Sequence, residues 1–225
     1  MYIETLRLEN FKSIPGIELP LKQITVLIGS NSSGKSSILQ SLLILKTSLK
    51  HTPQNNLVFS TGSYDFGKFK DIVTLGDVTK KLQIGIVANK VIPNALDYTE
   101  KTNAKFGYYV TSSQDTISDI YLGVTINHHE ITFTYRNNDT KVNYRGLENI
   151  DISLTSVLDG LHPRISTSGN EEIHRNINKL FSNGEFTKQL MDDFFYISFF
   201  RSSKKYGAKL VRPADDLLLS SPEWL

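Results

Sequence analysis

The chain has 225 residues, 39% of them hydrophobic and 21% charged, with a formal net charge of +2 and no cysteine. This composition suits a globular domain, or one domain with a small subdomain, and it excludes disulfides, thiolate metal sites and a cysteine nucleophile. The charge is too small to imply nucleic acid by itself, and no apolar stretch reaches spanning length, so a cytoplasmic protein without a membrane partner is expected.

Tyr2 to Leu8 alternates apolar Ile3, Leu6 and Leu8 with polar Glu4 and Arg7, which predicts a strand. After a turn around Ser13-Ile14-Pro15-Gly16, a second short strand is expected over Ile17 to Leu21. The β-branched run Ile24-Thr25-Val26-Leu27-Ile28 then reads as a buried strand. It leads into Gly29-Ser30-Asn31-Ser32-Ser33-Gly34-Lys35-Ser36, which fits G-x-x-x-x-G-K-[ST] at every fixed position. Lys35 to Leu49 has no glycine or proline and predicts a helix, apolar on nearly every side through Ile38, Leu39, Leu42, Leu43, Ile44, Leu45 and Leu49.

The spacing of the loop has a chemical reason. Triphosphate oxygens need many donors converging on a small volume, and Gly29 and Gly34 permit the tight turn that aims backbone N–H groups inward. The helix start adds its unpaired N–H groups and the positive end of its dipole. Lys35 is expected to reach the β- and γ-phosphates, and Ser36 to supply a hydroxyl ligand to Mg²⁺, with Ser37 following at the helix start. ATP and Mg²⁺ are the cofactors this pattern predicts.

From Leu82 to about Tyr144 the apolar period becomes two: Leu82, Ile84, Ile86 and Ala88 alternate, as do Ile120, Leu122, Val124 and Ile126, and Ile131, Phe133 and Tyr135. Short polar breaks at Asn127-His128-His129 and Asn137-Asn138-Asp139 predict an antiparallel meander. Ser168 and Glu171 have capping-box spacing, and Ile173, Ile177, Leu180 and Phe181 share a helical face. A second helix over Gly184 to Asp193 and an apolar strand over Phe195 to Phe200 are expected next, followed by a loop-like tail. The aromatic cluster from Phe194 to Phe200 reads as core.

The opening pattern Ile3-x-x-Leu6-x-Leu8-x-Asn10-Phe11-Lys12-Ser13, followed by the loop through Ser37, resembles the N-terminal lobe of ABC/SMC-class ATPases, and among them the RecF-like and OLD-like proteins of bacterial DNA repair and phage defence. Phe66-Gly67-Lys68-Phe69-Lys70-Asp71-Ile72-Val73 is similar to a stretch that follows the first helix there. Tyr196-Ile197-Ser198-Phe199-Phe200-Arg201 is similar to a later strand end, with Phe199 in place of a proline. The resemblance implies an α/β P-loop NTPase lobe with an antiparallel β meander and a helical insertion. The division expected is an ATPase lobe with its β subdomain over 1–155, a helical insertion over 156–194, and a strand and loop returning to the core over 195–225.

The resemblance also implies motifs that the chain lacks. An apolar strand ending in Asp-Glu is missing, because Asp192-Asp193 follows a helical pattern and Asp215-Asp216 precedes its apolar run. Phe181-Ser182-Asn183-Gly184-Glu185 reads as a helix-to-helix turn rather than a signature loop. Gln54 and Gln83 are weak candidates for a Q-loop glutamine. The simplest account is the N-terminal part of a longer ATPase that closes as a homodimer around nucleotide and gates an effector such as a nuclease, a toxin or nucleic acid. A nucleotide sensor without hydrolysis and a P-loop kinase are the alternatives, the kinase disfavoured by the meander. Among other candidates, His128-His129-Glu130 reads as a polar turn rather than a metal site, and His51, His162 and His174 read as surface residues. The basic run Arg201, Lys204, Lys205, Lys209 and Arg212, with Tyr206, reads as a solvated loop before a phosphate grip.

Overall fold

The structure, a computed structural model, describes residues 2–50, 56–61, 64–93, 101–114, 116–126, 129–145 and 154–168, together with Arg175, Asn178 and Phe181. Strands β1 (Tyr2–Phe11) and β2 (Ile14–Pro20) form a hairpin, and the free edge of β1 pairs with β3 (Leu82–Pro93). Strands β4 (Lys101–Ser113), β5 (Thr116–Ile126), β6 (His129–Arg136) and β7 (Asp139–Arg145) follow. The order is β2-β1-β3-β4-β5-β6-β7, antiparallel throughout. Asn137 and Asn138 both have positive φ, 53° and 62°, the conformation that lets a tight hairpin turn match the twist of β6 and β7. The meander expected from the period-two region is present. It includes β4, whose buried Phe106, Tyr108 and Val110 alternate as clearly as the residues singled out above.

One face of the sheet is apolar because these strands place every second residue inward. Leu6, Leu8, Ile84, Ile86, Phe106, Ile120, Leu122 and Phe133 pack in one core with Leu42, Ile44, Leu45 and Leu49 of helix α1 (Lys35–Lys50). Between the helix and β3 lie a short helix α2 (Phe69–Ile72) and a single 3₁₀ turn at Thr74–Gly76. A second hairpin, β8 (Leu154–Asp159) and β9 (His162–Thr167), sets its turn into the same core. There the Tyr108 hydroxyl donates to the Leu161 carbonyl at 2.7 Å, and His162 Nε2–H donates to the Leu49 carbonyl at 2.9 Å.

Three expectations are corrected. Ile24 to Ile28 is not a buried strand: it has no ladder partner among the described residues, and Ile24, Val26 and Ile28 are 85%, 72% and 90% exposed. An extended run stays in a sheet only where a neighbouring strand takes up its N–H and C=O groups. The α/β lobe with a helical insertion over 156–194 is, in the described residues, mostly antiparallel sheet, and the insertion opens with the β8–β9 hairpin because Leu154, Ser156 and Leu158 alternate inward. Of its expected helix, Arg175, Asn178 and Phe181 are helical, and Phe181 is buried. His162 is not a surface residue; it is 3% exposed because its ring serves the end of α1.

Burial pushes the Tyr108 phenol far above its ordinary pKa, so it is a neutral donor throughout the accessible pH range. Tyr108→Phe leaves the Leu161 carbonyl without that partner, and the expected loss is about 1–3 kcal/mol in urea denaturation. A change within error would mean that the hairpin does not depend on this bond.

Candidate functional site

The loop begins where the chain leaves the sheet. The β1–β2 ladder ends at the pair of Thr5 and Pro20, and Leu21 N–H donates to Glu4 O at 2.6 Å. Thr25 Oγ1 then closes a turn, accepting from Lys22 N–H at 2.9 Å and donating to Lys22 O at 3.3 Å. Residues 26–33 are exposed apart from half-buried Leu27. Ser32 (φ 64°) and Gly34 (φ 90°) swing the backbone round, and Ser33 N–H donates to Ser30 O at 3.4 Å. A Cβ on Gly29 would lie 2.7 Å from Ser33 Oγ, so a side chain there would have to turn the Ser33 hydroxyl away.

Helical bonding begins with Ile38 N–H donating to Gly34 O at 3.1 Å, which leaves the N–H groups of Lys35, Ser36 and Ser37 without helical acceptors. The Lys35 ammonium folds back into the turn and donates to Gly29 O at 2.8 Å, Ser30 O at 2.5 Å and Ser33 Oγ at 3.1 Å. An ammonium has only three hydrogens, so each is engaged. The result is a helix N-terminus, free backbone donors and a primary cation converging on one exposed loop, an arrangement that attracts a polyanion.

Behind the loop stands the end of β1. A Cβ on Gly34 would lie 3.6 Å from Ser13 Oγ. Lys12, at φ 50°, donates from Nζ to Gln40 Oε1 of α1 at 2.7 Å, and its Nζ sits 5.4 Å from the Phe66 ring centroid. Burial holds its ammonium below the ordinary lysine value. The left-handed backbone at Asn10 and Lys12 is the feature that aims these side chains, and a sequence pattern does not display it.

The remaining candidates among the described residues are not brought to the loop. Asp71 accepts from Lys68 N–H at 2.8 Å as a local cap of α2, and a Cβ on Gly67 would collide with it. Gln83 lies on the sheet face away from α1 and donates to Thr111 Oγ1 at 3.2 Å. No cluster of metal-binding side chains occurs among the described residues. His51, Gln54, His128, Asp192, Asp193, the turn from Ser182 to Glu185, the Phe195 to Phe200 run and the basic run from Arg201 to Arg212 lie outside the described residues. No helix among the described residues is long and apolar enough to cross a membrane.

A glycine-flanked loop with its lysine at the head of a core helix defines a P-loop NTPase. The chain matches the AAA ATPase domain family, AAA_15, over residues 1–210, and it belongs to that family, an ATP-binding ATPase domain of the ABC/SMC class. It is similar to the DNA replication and repair protein RecF of Francisella tularensis subsp. novicida (strain U112), with 47% identity over 49 residues, 21% of this chain and 14% of that protein. RecF of Bacillus thuringiensis (strain Al Hakam) is 24% identical over 87 residues, 38% of this chain and 23% of that protein. The match therefore spans less than a quarter of the length of these curated relatives.

Ser33→Ala releases one ammonium hydrogen of Lys35 without altering the backbone donors. The expected outcome in calorimetry is tripolyphosphate affinity unchanged or up to about fivefold tighter. A loss of about tenfold or more would show that the Ser33 hydroxyl itself holds the anion.

Proposed function

We propose that the chain binds ATP with Mg²⁺ at Gly29-Ser30-Asn31-Ser32-Ser33-Gly34-Lys35-Ser36-Ser37. The observation that carries this reading is the Lys35 ammonium already poised inside the turn, beside the free N–H groups of the helix start. Backbone donors of the loop hold the phosphates, and Lys35 exchanges one loop acceptor, most easily the 3.1 Å bond to Ser33, for a phosphate oxygen. Ser36, exposed in the first helical turn, is the hydroxyl suited to the metal; Mg²⁺ there would offset phosphate charge.

Hydrolysis needs further groups. Among the described residues Lys35 has no carboxylate partner, and the sequence contains no Asp-Glu pair to end a strand and polarise water. We therefore infer that turnover depends on a second lobe and on a homodimer that closes over the nucleotide, and that this closure gates an effector such as a nuclease in phage defence or DNA maintenance. The bare apolar face of Ile24, Val26 and Ile28 favours a strand of the core being added there, and 195–225 is the part of the chain we assign to that return. A sensor that binds without hydrolysis is the second reading, favoured by the same lack of a carboxylate at the loop.

Calorimetry with a slowly hydrolysed ATP analogue and Mg²⁺ tests the site. Lys35→Ala is expected to weaken binding by about tenfold or more, and equal affinities would reject the assignment. In a steady-state assay the 225-residue chain is expected to show negligible ATP turnover. Turnover that depends on Lys35 would reveal an acidic group within it, with Asp71 and Asp192-Asp193 the first variants to make.

A further inference from the structure

Leu75 combines two penalties that the described fold does not explain. It sits at φ 60° and ψ 15°, followed by Gly76 at φ 67°, in a turn closed by Asp77 N–H donating to Thr74 O at 3.3 Å. Two successive residues of positive φ suit glycine, asparagine or aspartate, whereas a leucine there crowds its Cβ against the backbone. The side chain gains nothing from the core in return, because it is 91% exposed. Phe69, Ile72, Val73 and Leu82 of the same segment are all buried, and of its apolar side chains only Val78, at 41%, is exposed beside Leu75. A strained backbone that carries an uncovered aliphatic group points to a ligand contact.

The turn is tied to the nucleotide loop through the β1–β2 connection. Val73 bridges to Phe11, Lys12 N–H donates to Ile72 O at 2.5 Å, and Thr74 Oγ1 donates to Ile14 O at 3.2 Å. The same connection backs Gly34, where a Cβ would lie 3.6 Å from Ser13 Oγ and 3.9 Å from Ile14 Cγ1. Leu75 is thus held one residue beyond a side chain bonded to Ile14, on the flank of the loop where α1 starts. Phosphates held by the loop leave the sugar and base of a nucleotide outside it, and a ring that leaves over the β1–β2 connection meets Leu75. One aliphatic side chain matches the face of one flat ring. It is too little for a protein interface core, since Gly76 and Asp77 beside it add no apolar surface. Asp77 keeps the turn in place: its Oδ1 accepts from Thr79 N–H at 3.1 Å and from Thr79 Oγ1 at 2.6 Å.

We propose that Leu75 is the contact for the nucleobase, packing on the face of the ring while the loop holds the phosphates. The inference rests on the ATP reading of the loop, and the test separates the two. Calorimetry of the whole chain compares three ligands with Mg²⁺: a slowly hydrolysed ATP analogue, ribose 5-triphosphate and tripolyphosphate. Leu75→Asn, which suits positive φ, is expected to weaken binding of the analogue about fivefold or more and to leave the two base-free ligands within about twofold. Its melting temperature is expected to be unchanged or higher by up to about 4 °C, because the substitution relieves the backbone. Leu75→Met, which keeps an apolar surface, is expected to bind the analogue like the wild type. Equal analogue affinity in the wild type and Leu75→Asn, a parallel loss for the base-free ligands, a lower melting temperature of Leu75→Asn, or an equal loss in Leu75→Met would each overturn the proposal. Lys35→Ala separates the two readings. If it leaves all three affinities unchanged, the loop is rejected as the phosphate site and the base contact falls with it. If it weakens all three while Leu75→Asn changes none, the base contact alone is rejected.

Discussion

Helix α1 is held at one end and open at the other, and the placement of the site depends on that asymmetry. Ser41 to Leu49 are buried, with even Lys46 only 5% exposed. The carbonyl of Leu49, which a helix end would otherwise leave unsatisfied, accepts from His162, and the Ser48 hydroxyl accepts from Val58 N–H at 2.7 Å while donating to Ile44 O. Fixing the C-terminal half in this way fixes the direction of the helix axis. The unpaired N–H groups at its start therefore point out of the core at the place where the loop arrives.

The loop itself is closed by its own lysine, not by a sheet. A P-loop is ordinarily read as strand, turn and helix, but the extended residues before Gly29 lie free of any ladder among the described residues. Their backbone gives the turn little support, and the three bonds from Lys35 to Gly29, Ser30 and Ser33 take that part. The same side chain thus shapes the loop and supplies its charge. Phosphate binding has to exchange one of these bonds rather than add a new one, which lowers the net gain from each contact.

Patterns of local period and fixed spacing were legible in the sequence. The loop motif, the helix after it, the β1–β2 hairpin and the meander follow from the positions of glycine, lysine and alternating apolar residues. What failed depended on partners remote in the chain. Ile24 to Ile28 has the composition of a buried strand, but burial needs a neighbour, and composition does not report one. His162 looked like any isolated histidine because its partner, the Leu49 carbonyl, is a backbone atom far away in sequence. The β8–β9 hairpin is hard to see in the sequence because Leu154, Ser156 and Leu158 alternate with Thr155 and Val157 without strong hydrophobic contrast. Lys12 and Ser13 belong to the opening pattern, but their place behind Gly34 comes from a left-handed turn that only the backbone reveals.

The two faces of the sheet are tied together by register. In β3, Ile84 and Ile86 pack inward in the core that holds α1, while Gln83, Gly85 and Val87 face outward beside Tyr109, so a slip of one residue would exchange the two sets. Gly85 makes the register costly to break from either side, because any side chain there would displace Tyr109, and Tyr109 is held in turn beside Arg7 of β1. Among the strands, β1 and β3 are also the ones whose backbones approach α1 most. A shift of α1 driven by an anion at its N-terminus would therefore bear on the same two strands that carry Arg7 and Gly85, whereas Tyr121 on β5 stands two strands further out. Any coupling between the loop and the outer face should be felt first at the Arg7–Tyr109 pair and more weakly at Tyr121.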